Sequence, residues 1–193
     1  MRRTPIQKIF RRIPELRTER LLLRKIRVSD AADMYSYSCL RSVTRYLLWN
    51  PHPDVEYTRR YVSYLQQKYR QGLYYDWAIV ELKSGRMIGT CGFPTISEEN
   101  CRAEVGYVLH PEFWGKGYAT EALSAILSFA FRVLGLHRVE ARCFEEHTAS
   151  ARVMEKCGMR YEGCARDGML VKGSYATIRT FAVLAGEYPT VGE

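Results

Sequence analysis

The sequence predicts an α/β domain of the α+β type in which a β-meander feeds a strand-turn-helix-strand unit. Three observations carry that expectation: three strand-like runs with short turn-like connectors, a change to helical apolar spacing at Ala119, and a glycine-rich turn at the change. At 193 residues the chain is long enough for one well-buried core and short for two. Apolar residues at 47% and charged ones at 26% fit an ordinary globular protein. The organisation expected is a basic extension over 1–17, a single domain over 18–188 and a short tail over 189–193.

In chain order, Ile6, Ile9, Phe10, Ile13 and Leu16 recur at near-helical spacing, so a short amphipathic helix is expected until Pro14 interferes. Arg20 to Ile26 reads as a strand. Ser29 or Asp30 suits the N-cap of a helix beginning near Ala31, and Glu56 to Gln71 is a second, tyrosine-rich helix. Trp77 to Leu82, Met87 to Phe93 and Ala103 to Leu109 are the meander strands, joined through Lys83 to Arg86 and Ser97 to Asn100. Ala122, Leu123, Ile126, Leu127, Ala130, Val133 and Leu134 then mark the clearest helix, which Gly135 is placed to end. Arg138 to Phe144 reads as a strand, Thr148 to Cys157 as a helix stopped by Gly158, and Thr177 to Ala185 as a last strand.

Charge and cysteines narrow the function classes. Residues 1 to 20 hold seven basic side chains against Glu15 and Glu19, which leaves only three of the +8 formal charge for the rest. So small an excess does not demand a nucleic-acid partner, though it suits a phosphorylated cosubstrate or an acidic ribosomal surface. The simplest reading of the extension is a solvated basic tail. No apolar run approaches the roughly 20 residues of a membrane-spanning helix, and the basic start lacks a secretory apolar stretch. The six cysteines are scattered, with no C-x-x-C pair and no histidine at metal spacing, so no metal is expected. Reduced thiols and a cytoplasmic location are the expectation.

Between the strand ending at Leu109 and the helix after Ala119 lies His110-Pro-Glu-Phe-Trp-Gly-Lys-Gly-Tyr-Ala-Thr-Glu121. Gly115 and Gly117 let the main chain approach a ligand, and the opening helix offers unpaired amides and a positive dipole end. Such a turn suits a phosphate group, although two glycines are also what a tight structural turn needs. It is neither G-x-G-x-x-G nor a Walker A sequence.

The run from Glu104 through Ala122 resembles the central motif of the GNAT acetyltransferase superfamily, whose anchors are Arg or Gln, then Gly, then Gly or Ala. Gly117 and Ala119 match the last two, and Trp114 stands at the first, as in the ribosomal-protein serine/alanine N-acetyltransferase branch. His147 to Gly163 is similar to that branch's Asn-x-x-Ser helix and Glu-Lys-x-Gly ending, with His147 for Asn and Met159 for Phe. Arg45-Tyr-Leu-Leu-Trp-Asn-Pro-His52 occupies its helix-linking segment, so the resemblance runs from about Thr18 to Tyr188.

The resemblance implies a GNAT fold, a central mostly antiparallel mixed sheet with splayed central strands, and acetyl-CoA as cosubstrate. Tyr107, Val108 and Leu109 would pair with its pantetheine arm. Trp114, Gly115, Lys116, Gly117, Tyr118, Ala119 and Thr120 would meet the pyrophosphate, and His147 stands where the family has a cofactor-contacting Asn. Ser150 is implied as the proton donor to the departing thiolate, and an N-cap role competes with that reading. Strand alternation groups Glu104 with Gly106 and Val108, making Glu104 a candidate base acting through water, or an ordinary solvent-facing glutamate. Gly106 fits a strand distorted beside a ligand.

Tyr35, Trp49, His52 and Tyr75 are candidates for the acceptor groove, each with core packing as its alternative. The expected reaction is acetyl transfer to a primary amine, foremost a protein N-terminal α-amine of ribosomal type. A small amine such as an amino acid, polyamine or antibiotic is the second reading. A third is an acetyl-CoA-binding module that docks on RNA or ribosomes through the basic extension. Monomer and homodimer are equally compatible with the sequence.

Overall fold

The computed structural model describes residues 6–188, so Arg2, Arg3 and the expected tail at 189–193 lie outside it. Eight strands form one sheet in the order β1-β2-β3-β4-β5-β6-β8-β7. They are β1 (Leu16–Arg17), β2 (Leu21–Arg24), β3 (Asp76–Glu81), β4 (Met87–Ser97), β5 (Arg102–Leu109), β6 (Arg138–Phe144), β7 (Arg160–Val171) and β8 (Ser174–Leu184). Every neighbouring pair is antiparallel except β5 and β6. That exception follows from the helical crossover between them, since parallel neighbours need a long connection.

The helices are α1 (Ile6–Phe10), α2 (Ala31–Ser38), α3 (Arg41–Thr44), α4 (Val55–Gln71), α5 (Tyr118–Arg132) and α6 (Thr148–Lys156). Asp54 caps α4 by accepting from the Tyr57 amide at 2.6 Å, and Gly72 ends it in the left-handed region. Gly135, at φ 62°, closes α5 as its position in the sequence suggested. Asp30 behaves otherwise than expected. Its carboxylate does not cap α2 but takes both guanidinium nitrogens of Arg24 at 2.8 Å and the Arg27 amide at 2.7 Å.

Two further expectations change. The extension is not simply a solvated tail: α1 forms before Pro14, and Phe10 is fully buried. The Phe10 ring meets Tyr75, Trp77, Phe93 and Phe129 edge-on at 4.7–6.5 Å, while Lys8, Arg11 and Arg12 stay exposed. The Trp77 indole also donates to Pro14 O at 2.7 Å. The second change is β7, unanticipated because its residues are nearly all exposed and carry no apolar alternation.

Candidate active site

The site begins where two parallel strands part. β5 and β6 are paired only at Arg102–Arg138, Ala103–Val139 and Glu104–Glu140. Beyond Glu104 the strands separate, leaving the main chain of Val105 to Leu109 without a β6 partner on that side. The far edge of β5 stays paired to β4 up to Leu109, with an irregularity between Gly92 and Thr95 where Pro94 cannot donate. A cleft of about 1100 Å³ opens at the parting and is lined by residues of β5, β6, α3, α4, α6 and the turn before α5. It exceeds the roughly 300–1,000 Å³ of ordinary small-molecule sites, leaving room for a long cosubstrate and an acceptor together.

At one end the turn adopts the conformation its glycines allow. Gly115 and Gly117 sit at φ 71° and 82°, and open space lies where a Gly115 side chain would be. Gly117 is the N-cap of α5 and no side chain caps that helix, so its first amides are available to an anion. Trp114, Gly115, Gly117, Tyr118, Ala119 and Thr120 all line the cleft. Lys116 does not; its carbonyl instead accepts from Arg20 at 3.0 Å. Arg20 and Thr18 brace this turn through Glu121, whose carboxylate takes the Thr18 hydroxyl at 2.6 Å, the Arg20 amide at 2.9 Å and the Arg20 Nε at 2.7 Å. The Leu109 carbonyl, one of the groups expected to face the pantetheine arm, already accepts from the Trp114 indole at 2.7 Å. A phosphate-bearing cosubstrate with a thin arm fits this combination of bare helix amides and parted strands.

Midway, Ser150 and Tyr107 come together. The Ser150 hydroxyl lies 2.9 Å from the Tyr107 hydroxyl, which also donates to Ser150 O at 3.0 Å. Burial raises the Tyr107 phenol above its ordinary range, so it stays protonated at any working pH. His147 lines the cleft with its ring stacked 4.4 Å from that of Tyr46, and burial lowers its pKa, which favours the neutral imidazole. Its side chain does not cap α6.

Glu104 faces the cleft, but Arg142 engages both its oxygens, at 2.7 and 3.0 Å. An incoming water would have to share them. His52 lines the acceptor side, held between the Ser38 and Thr58 hydroxyls at 3.0 and 2.8 Å, and burial lowers its pKa as well. Trp49 packs beside it, with ring centroids 5.3 Å apart. Tyr35 and Tyr75 are not brought to the cleft wall: Tyr35 donates to Pro53 O at 3.4 Å, and Tyr75 packs on Phe10.

Several cleft or bracing residues carried no signal in the sequence. Arg20 and Arg142 read as ordinary strand arginines, Tyr46 as part of a linker, and Asp76 as the polar residue before a strand.

Comparison with known proteins agrees with this geometry. A family profile described as the acetyltransferase (GNAT) domain matches residues 20–160. The N-acetyltransferase p20 of Bacillus licheniformis is 35% identical over 173 residues, covering 90% of this chain and 97% of that protein. The [ribosomal protein uS5]-alanine N-acetyltransferase of Escherichia coli is 24% identical over 176 residues, covering 84% and 88%. The crystal structure of a GNAT-family acetyltransferase from Bacillus anthracis superposes with a TM-score of 0.81 at 29% identity, covering 90% of this chain and 100% of that one. Parted strands, a bare helix entry and a matching profile over most of the sheet have one common explanation: this chain is an acyltransferase and belongs to the GNAT family of N-acetyltransferases.

Proposed function

We propose that the chain acetylates a protein N-terminal α-amine, of the kind carried by ribosomal proteins, using acetyl-CoA. The observation that carries this reading is the charge inside the cleft. Its lining holds the cations Arg45, Arg142, Arg152 and Lys156 beside the carboxylates Asp76, Glu104 and Glu146. Glu104 is paired with Arg142 and Glu146 with Arg45, so a single carboxylate, Asp76, is left for an incoming cation. That suits one ammonium group and not a polyamine, whose several charges would meet the cleft arginines. Similarity to an alanine N-acetyltransferase acting on a ribosomal protein supports the same reading.

Bound acetyl-CoA supplies the thioester that the amine attacks. The amides from Gly115 to Thr120 would hold its pyrophosphate, and the free edge of β5 its arm. We assign Ser150 and Tyr107 a shared role in which the Tyr107 proton, held on Ser150 O before reaction, turns to Ser150 Oγ as that hydroxyl gives its own proton to the departing thiol, a path that needs no strong acid. Of the two roles open to Glu104, base or wall, its clamp by Arg142 supports the wall. The exposed Lys8 of α1, with Arg11 and Arg12, would let the chain approach an acidic ribosomal surface. Acetyl transfer measured with peptides bearing free Ser or Ala termini, their N-blocked counterparts carrying lysine, and spermidine tests the reading. Preference for either of the latter two would overturn it.

A further inference from the structure

Asp76 opens β3 and pairs with Gly92 of β4, which pairs in turn with Gly106 of β5. Paired residues share a face of the sheet, so these three positions make one row across three strands, two strand spacings or about 10 Å long. Nothing projects from its middle and far positions. A Cβ built at Gly92 would overlap Asp76 Oδ1, Tyr75 O and Asp76 Cα, so β3 and the Asp76 carboxylate lie directly against this position. A Cβ at Gly106 would press on the Pro94 ring, at 3.3 Å. Between the Asp76 carboxylate and the strand that parts, the row therefore adds no side chain of its own, and it is covered by β3 at Gly92 and by the Pro94 ring at Gly106.

The surroundings of Asp76 are aromatic and uncharged. Tyr37 from α2, Tyr61 from α4 and Tyr74 line the cleft with it, and Tyr69 donates its hydroxyl to the Asp76 carbonyl at 2.6 Å. None of the ion pairs among the described residues includes Asp76. Phenol rings around one carboxylate form a cation site: the ring faces attract an ammonium and the carboxylate fixes it. Burial pushes the carboxyl up to about 6 against a hydrogen bond from Tyr74 that acts the other way. A carboxylate so placed is a better proton acceptor than one held by a guanidinium.

We propose that Asp76 binds the acceptor's ammonium group and takes from it the proton that the amine must lose before it attacks. This rests on the acceptor reading above and names the residue that receives the amine. The steps balance. The ammonium gives one proton to the Asp76 carboxylate, the neutral nitrogen forms its bond to the acetyl carbon as the carbon–sulfur bond breaks, and the second nitrogen proton ends on the thiolate by way of Ser150 and Tyr107. Asp76 then returns its proton to solvent through the cleft.

The test compares the full chain with Asp76→Asn, which removes the charge and hardly changes shape. Acetyl-CoA affinity by calorimetry should agree within about twofold. Transfer to a Ser- or Ala-terminated peptide should fall on the order of a hundredfold or more in kcat/KM at pH 7. The deficit should narrow as pH rises past the amine's reference value near 7.7–8.0, where solvent supplies the neutral form. Equal peptide kinetics in both proteins would overturn the role of Asp76 and leave the acceptor reading intact. If the wild type ignores the peptide and acetylates spermidine, the acceptor reading fails and Asp76 is judged by the same ratio on spermidine. If neither is acetylated, the judge is glycinamide, the smallest α-amine amide: its addition to the acetyl-CoA complex must move the Asp76 carboxyl carbon resonance, and an unmoved resonance overturns the proposal.

Discussion

Replacing Asp76 by Asn should make the protein more stable at neutral pH, and the size and pH dependence of the gain follow from its surroundings. The carboxyl rises from an ordinary 3.8 to about 6 because burial penalises the ionised form. Between those values the native state holds a proton that the unfolded chain has released, so stability falls as pH rises through the window and stays lowered above it. At about 1.4 kcal/mol per unit, the full penalty at pH 8 is ~3 kcal/mol. Water still reaches the residue through the cleft, so that figure is a ceiling and about 1–3 kcal/mol is expected. At pH 5 the same values leave roughly half. Urea denaturation of both proteins at pH 8 and pH 5 measures the difference, and thermal midpoints should shift by about 2–4 °C per kcal/mol for a chain of this size. The comparison cancels other groups that titrate in the window. A variant no more stable than wild type at pH 8, or an advantage that does not shrink by pH 5, would refute the reasoning.

Four further outcomes are expected. Gly117→Arg places a side chain at φ 82° beside the helix amides and Arg20, at a backbone cost of about 1–2 kcal/mol; the protein should stay folded by circular dichroism yet lose at least tenfold in acetyl-CoA affinity by calorimetry. Ser150→Ala should lower pre-steady-state transfer more than it raises acetyl-CoA dissociation, and Tyr107→Phe should do the same to a smaller extent, whereas a merely structural Ser150 would show lost stability with normal turnover per folded molecule. Glu104→Gln should leave the pH profile of transfer unchanged in shape, because Glu104 is occupied by Arg142; a profile that loses its acid limb would restore Glu104 as the base. Phe10→Ala should destabilise the fold by about 3–5 kcal/mol in urea titrations, and a loss under 1 kcal/mol would show α1 to be a loose appendage after all.

The sequence disclosed this fold where a periodic pattern met a punctuating residue. α5 shows helical spacing closed by Gly135, β6 was legible to the residue, and the meander strands differed by a few positions at their ends. β7 was silent because its side chains face solvent, leaving nothing for an apolar period to mark. The phosphate turn was legible for a different reason: its chemistry is carried by the main chain and needs glycines at fixed places in a continuous segment. Side-chain pairs that join distant segments were not. Tyr107 with Ser150, Glu104 with Arg142, and Arg20 with Glu121 are separated by 43, 38 and 101 residues, so no local spacing could announce them. Phe10 shows the reverse error, since cationic neighbours made a core aromatic look like part of a tail.

Asp76 breaks local rules in a way that pays off only at the level of the site, while the glycines beside it make room for it and for its neighbours. An acidic residue at the start of an inner strand, burdened by desolvation, and glycine at paired interior positions of two adjacent strands each weaken a sheet that β-branched residues would strengthen. A side chain at Gly92 would collide with the β3 main chain and the Asp76 carboxylate, and one at Gly106 would press on the Pro94 ring, so both glycines follow from close packing beside the carboxylate. Elsewhere β3 and β4 are well buried, with Trp77, Ile79, Ile88 and Phe93 fully or almost fully covered, so the row is a local exception and not a sign of a poor core. Locally inconsistent residues in an otherwise consistent sheet are where functional demands are expected to override folding ones. The stability gain forecast for Asp76→Asn and the loss of transfer forecast for the same substitution are therefore two readings of one conflict, and observing the first without the second would leave the buried charge without a reason to be there.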